Sequence, residues 1–141
     1  LPADVFQKAE RKLSRRYDIQ LDGSDAPDWF QNNWKKRRED LIKSGRAPIR
    51  QDGTVDDSSV DFIVSRDILS AYRNKRSERL TPMLNYCHYM LCLEAELRQK
   101  ARPEDYAIRT LNAVIRRLQL PVPERHDAPG SSIERYQGDF L

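Results

Sequence analysis

Apolar side chains recur at helical spacing in five stretches of the chain, separated by polar breaks. In the first stretch, residues 3–17, Val5, Phe6 and Leu13 fall on one side of a helical wheel, and basic side chains cluster on the other. The remaining stretches cover residues 26–44, 58–75, 81–100 and 103–118. This periodicity predicts an all-α fold, a single compact bundle of about five helices.

Residues that favour helix ends support these boundaries. Gly45 follows the second stretch, as glycine commonly does after a helix C-terminus. Ser58 and Asp61 approximate a capping box at the start of the third helix. Thr81 and Pro82 are expected to open the fourth helix as its cap and first-turn proline.

Two short segments allow an alternative to this helical pattern. Ile49 and Val55 could flank a very short hairpin around the turn signal Asp52-Gly53, and a plain loop is the other possibility. Residues 60–64, "VDFIV", are rich in β-branched side chains and could instead form a strand.

Helical wheels also predict which side chains form the core. On the second helix, Phe30, Trp34 and Leu41 lie on one face, which we expect to point inward. Lys35 and Lys36 project from the far side of the same helix. The fourth helix is apolar on nearly every side, which is typical of the buried centre of a bundle. The stretch "DWFQNNWKKRRED" is therefore first a packing segment, with Trp34 as its anchor.

The 141-residue chain is predicted to hold one helical domain, residues 1–120, followed by an extended polar tail, residues 121–141. Pro121 and Pro123 separate the two, because proline ends a helix. The chain begins at Leu1 rather than at Met, so we expect it to be a domain of a larger protein.

Positive charge is concentrated towards the N-terminal end, although the net charge is only +3. The first 50 residues carry twelve Lys and Arg against eight Asp and Glu. Basic helix faces can seat phosphate groups, and each neutralised phosphate releases counterions. We therefore predict a non-enzymatic domain that binds the phosphate backbone of nucleic acid. The expected contacts are Lys8, Arg11, Lys12, Arg15, Lys35, Lys36, Arg38, Arg73, Lys75 and Arg76.

Two other interpretations compete with nucleic-acid binding. Each basic run could be no more than a solvated helix face. The chain could also be a protein-interaction or oligomerisation module that uses its helix faces and its C-terminal tail. Tyr136, Phe140 and Leu141 give that polar tail an apolar end, which favours docking onto its own bundle, a second copy or a partner.

Side chains suited to catalysis are scarce. The chain has two histidines, His88 in the apolar fourth helix and His126 in the tail, and two cysteines, Cys87 and Cys92. Neither a glycine-rich phosphate loop nor a complete metal-ligand spacing accompanies them. We therefore expect no catalytic site, no metal, no cofactor and no small-molecule substrate.

The cysteines and the hydropathy pattern indicate a compartment. Cys87 and Cys92 point apart on a helix, so they cannot bridge each other there, and reduced thiols are typical of intracellular proteins. Apolar runs fall short of the ~20 residues that a membrane span needs. We expect a protein of the cytoplasm or nucleus, or one within a virion, and no membrane partner.

Overall fold

The structure is a computed structural model, and it describes residues 16–125. Four α-helices make up most of these residues. They are α1 (Asp28–Lys43), α2 (Asp57–Ser70), α3 (Ser77–Leu97) and α4 (Pro103–Leu118). The all-α prediction is confirmed for these residues, and the count of five is one too many for them. The first predicted helix lies outside the described residues, except for Arg16 and Tyr17, which are not helical.

The helix α1 buries the face that its sequence pattern predicts. Phe30, Trp34 and Leu41 are all buried, and they face α2 and α3, the two helices on which α1 packs. The backbone carbonyl of Pro27 accepts hydrogen bonds from the first turn, and Gly45 ends the helix with a φ of +76°. A positive φ suits glycine because it has no Cβ to clash with the backbone.

The start of α2 corrects the predicted capping box. The cap is Asp56, whose Oδ1 accepts the backbone N–H of Ser59 at 3.2 Å and whose Oδ2 accepts the Ser59 hydroxyl at 2.8 Å. The helix therefore starts one residue before Ser58, and Asp61 falls in the second turn, where it is fully buried. Residues 60–64 are helical, so the strand alternative is wrong.

The boundary between α2 and α3 also differs from its prediction. The helix α2 ends at Ser70, short of Lys75, and α3 begins at Ser77. Leu80 is buried in the first turn of α3, and burying this side chain favours the earlier start. Pro82 consequently lies inside α3 rather than in its first turn, and the helix lacks the hydrogen bond that a proline cannot donate.

The helix α3, predicted to be the buried centre, contacts each of the other three helices, as α2 also does, so it shares the centre of the bundle. It is not buried on every side, since Tyr86, Tyr89 and Leu93 stay partly exposed. The helix α4 packs on α2 and α3 through one face. The buried side chains of α4 are Tyr106, Ala107, Leu111, Val114 and Ile115.

The loop between α1 and α2 contains the predicted hairpin in its smallest form. Ile49 and Val55 form a single antiparallel bridge, and the Arg50 N–H donates to the Thr54 carbonyl at 2.7 Å. Gly53 has a φ of +88°, which fits the tight turn. The hairpin therefore exists as one residue pair, without an extended strand.

A second short pairing belongs to a separate unit that holds the two ends of the described chain. Tyr17 and Glu124 form an antiparallel bridge, and the Asp18 N–H donates to the Pro123 carbonyl at 2.8 Å. Most of the predicted tail lies outside the described residues. The division into a helical domain and a tail stays a prediction.

Candidate functional site

Lys35 and Lys36 of α1 are exposed, as its wheel predicts. Lys36 Nζ lies 3.9 Å from a carboxylate oxygen of Asp40, and both side chains are largely in solvent. Such an exposed pair contributes little to stability. Lys35 has no ion pair within residues 16–125. Its full charge is available to an anion.

Arg38 differs from these lysines because the fold neutralises it. Its guanidinium pairs with Asp57, and its Nε lies 3.0 Å from Glu94 Oε2. All three side chains are largely shielded from solvent. Arg38 therefore ties α1 to α2 and α3, and two carboxylates already compensate the charge predicted to contact phosphate.

A cluster of four cations surrounds the connection between α2 and α3. We call Arg73, Lys75, Arg76 and Arg79 the basic turn. All four side chains are exposed, and none has an ion pair with any described residue. Glu78 is the only carboxylate in residues 71–79. The basic turn is therefore a dense, uncompensated positive surface.

The helix dipole makes two cations of the basic turn, Arg76 and Arg79, unfavourable for the isolated fold. Arg76 is the N-cap of α3, and Arg79 lies in the first turn of that helix. The N-terminal end of a helix carries partial positive charge, so carboxylates are favoured there and cations are not. The α2 C-terminus could attract cations, but its own last turn contains none. A bound anion would relieve the repulsion within this turn.

The remaining predicted contacts cannot be placed. Those for phosphate are Lys8, Arg11, Lys12 and Arg15, and those for a partner are Tyr136, Phe140 and Leu141; all of them lie outside the described residues. The roles of these residues therefore stay predictions.

A buried polar network, formed by Asp61, Arg98 and Tyr106, links α2, α3 and α4. Asp61 Oδ2 accepts hydrogen bonds from Arg98 Nη2 and from the Tyr106 hydroxyl, each at 2.6 Å. Burial, together with the hydrogen bond to Asp61, raises the pKa of Tyr106 to about 12. Burial opposes the charge of Arg98, yet its hydrogen bond and ion pair with Asp61 raise its pKa on balance. At neutral pH Tyr106 therefore stays a neutral phenol and Arg98 stays charged.

Glu94 lies beside this network and feels its negative charge. Burial and then the Asp61 carboxylate raise the pKa of Glu94, while Arg38, Arg98 and the Trp34 indole oppose that change. Sequence reasoning missed the role of Asp61 in the buried network, because Ser58 and Asp61 match a local capping pattern. A charged residue inside the apolar run "VDFIV" was the available signal.

His88 and the cysteines form a weaker cluster. His88 Nε2 lies 3.8 Å from Cys92 Sγ, one turn along α3. Burial lowers the pKa of His88, although Glu104 opposes the change. Burial raises the pKa of the Cys87 thiol, which stays protonated. The described residues contain no group of three His, Cys, Asp or Glu side chains that could hold a metal ion.

A cleft between α1 and α2 brings together three arginines that are distant in sequence. We call it the arginine cleft; its volume is about 350 Å³, and its rim carries Arg37, Arg46 and Arg66. None of the three is among the phosphate contacts predicted from the sequence. The loop after α1 brings Arg46 into the cleft, and periodicity does not predict loop paths.

Comparison with protein-family models, with curated proteins and with solved structures finds no match to this chain. Within residues 16–125, no helix combines the length and the apolar character needed to cross a membrane.

Proposed function

We propose that this chain binds nucleic acid through its phosphate backbone, with the basic turn as the principal contact. The supporting observation is the unneutralised charge of that turn at the N-terminal end of α3. Four exposed cations, a single carboxylate within residues 71–79 and the positive end of a helix dipole all favour an anionic ligand. Lys35 offers a further exposed cation on α1.

The composition of the basic turn indicates the kind of recognition. Arg73 and Arg76 can hold phosphate oxygens by two parallel hydrogen bonds, and Lys75 can contribute a point charge. Asn74 and Ser77 lie between these cations and can add neutral hydrogen bonds to phosphate or sugar oxygens. These are backbone contacts, so we expect strong salt dependence and little sequence preference.

A binding measurement with a charge-matched control tests this proposal. Fluorescence anisotropy would follow a labelled, mixed-sequence oligonucleotide, single-stranded and double-stranded, at about 50 mM salt, where phosphate contacts are strong. The triple variant Arg73→Gln/Lys75→Gln/Arg76→Gln should bind at least about tenfold more weakly than wild type. Absence of wild-type binding at this salt concentration would refute the proposal.

The control removes three cations from the exposed face of α4. Arg109→Gln/Arg116→Gln/Arg117→Gln causes the same change in net charge, and these side chains lie in solvent. A general effect of net charge would weaken both triple variants equally. The proposal predicts that the α4 variant keeps close to wild-type affinity.

A second candidate function is a protein-interaction module, and Trp29 is the observation that favours it. Its side chain is 58% exposed, although its ring contacts Phe30 and Tyr86 edge-on. Exposed tryptophans are enriched at protein interfaces.

Light scattering of wild type and Trp29→Ala tests self-association through this side chain. A wild-type oligomer that Trp29→Ala dissociates supports this candidate. A monomeric wild type excludes self-association through Trp29.

A further inference from the structure

We propose that the arginine cleft seats one phosphate group of a bound nucleic-acid strand, with the adjoining sugar or base against the apolar floor of the cleft. This inference rests on the proposed function and adds a second contact to it. The three rim arginines supply the charge. Leu41, Ile63 and Val64 supply the floor.

Two of the rim arginines are held in place by neutral groups. Arg37 Nε donates to Asn33 Oδ1 at 3.1 Å, and Arg46 Nε donates to Ser44 Oγ at 3.0 Å. Ser44 Oγ in turn lies 3.0 Å from the Leu41 carbonyl, to which it donates. These contacts use only the Nε atoms, so the terminal guanidinium nitrogens remain for a ligand. Holding a side chain in place before binding lowers the entropy cost of the contact.

The carboxylates in the cleft do not neutralise these two arginines. Asp40 lies 3.9 Å from Lys36, and Asp67 lies 3.3 Å from Arg66. Neither Arg37 nor Arg46 has an ion pair with a described residue. The cleft therefore presents two anchored guanidinium groups without a direct ion pair, beside the carboxylates of Asp40 and Asp67, and guanidinium groups bind phosphate oxygens in pairs.

The size and the floor of the cleft favour a nucleotide over a folded partner. Its volume of about 350 Å³ lies at the lower end of the range for small-molecule sites, which is roughly 300–1,000 Å³. Leu41 and Val64 are buried, so of the three floor residues the half-buried Ile63 offers a sugar or base the most accessible apolar surface.

The experiment compares two double variants with the basic-turn variant. Arg37→Gln/Arg46→Gln removes the anchored cations, and Arg109→Gln/Arg117→Gln removes two exposed cations from α4 as a control. For a mixed-sequence single-stranded oligonucleotide, we expect the cleft variant to bind about tenfold more weakly at about 50 mM salt. The slope of log Kobs against log salt should shrink by about one, the value for one lost phosphate contact.

A second readout locates the ligand on the floor of the cleft. Methyl signals of Ile63 and Val64 should move when the oligonucleotide is added to wild type, and should not move in the cleft variant. Wild-type protein that does not bind at all would refute the proposed function. Wild-type binding that weakens in the basic-turn variant, but not in the cleft variant, would overturn the cleft assignment alone. Methyl signals of Ile63 and Val64 that do not move while wild type binds the oligonucleotide would also overturn it.

Discussion

Arg98 in the buried polar network and Arg76 in the basic turn are the same residue type in opposite electrostatic settings. Arg98 lies 2.6 Å from a carboxylate oxygen of Asp61, which has no exposure to solvent. Arg76 is exposed at the positive end of α3 without an ion pair among the described residues. The number of arginines in a segment is therefore a poor guide to function. Compensation by carboxylates separates the arginines that hold helices together from those that remain for a ligand.

Of the changes that test this comparison, removing the buried carboxylate of Asp61 should have the largest effect on stability. Asp61→Asn leaves Arg98 partly buried beside a neutral amide, and it weakens the hydrogen bond from Tyr106. We expect a loss of about 3–5 kcal/mol in the free energy of unfolding, the usual cost of breaking a buried ion pair. Urea denaturation measures it. Asp67→Asn, which removes a carboxylate from an exposed ion pair, is the control. A cost below about 1 kcal/mol for Asp61→Asn would contradict a structural role of Asp61.

Removing the Tyr106 hydroxyl should have a smaller effect, with a distinct pH signature. Tyr106→Phe deletes one hydrogen bond to a charged acceptor, which costs about 1.5–3 kcal/mol. The folded pKa of about 12 exceeds the ordinary value of 10.0, so the stabilisation by the protonated phenol is complete below pH 10. It is then lost as pH rises towards 12.

Ultraviolet absorbance of tyrosinate provides the measurement for Tyr106. The folded wild type should show a tyrosine step near pH 12, and Tyr106→Phe should lack that step. A wild-type titration in which all tyrosines ionise together near their ordinary pKa would show that the phenol is not held by Asp61.

Reversing the charges of Lys35 and Lys36 should have the smallest effect on stability. Lys35→Glu/Lys36→Glu disrupts only the long Lys36–Asp40 pair, so we expect a change of less than about 1 kcal/mol in the free energy of unfolding. The same variant should bind oligonucleotide more weakly if Lys35 faces phosphate. Normal binding by a folded variant would mark this part of α1 as a solvated face and leave the basic turn as the contact.

Periodic features of this fold follow from its sequence, because burial repeats with the helical turn. Phe30, Trp34 and Leu41 fall on one side of the wheel, and all three are buried. The inner face of α4 is equally regular. Residues that pack on a core at each turn leave a pattern that does not depend on where neighbouring helices lie.

Features that depend on tertiary contacts did not follow from local rules. Thr81 and Pro82 resemble a helix start, yet burial of Leu80 extends α3 towards the N-terminus. Asp61 resembles a capping residue, yet its partner is Arg98, at the C-terminal end of another helix. Both errors have one cause, since a local signal stabilises by about 1 kcal/mol and a buried side chain by more.

In the candidate site, too, some features followed from the sequence and others did not. Runs of cations in the sequence marked Lys35 and the basic turn, and the exposed charges are found there. Sequence could not separate Arg38 from these residues, because its carboxylate partners lie on α2 and α3. The arginine cleft is assembled from α1, α2 and the loop after α1, so no single run in the sequence marks it.

The salt dependence of binding tests the role of the basic turn most directly. Wild type and Arg73→Gln/Lys75→Gln/Arg76→Gln would be titrated with oligonucleotide between about 50 and 200 mM salt. If each removed cation contacts a phosphate, the slope of log Kobs against log salt should fall by about 2–3 in the variant, with the melting temperature preserved. Equal slopes for the two proteins would contradict the proposed role of this turn.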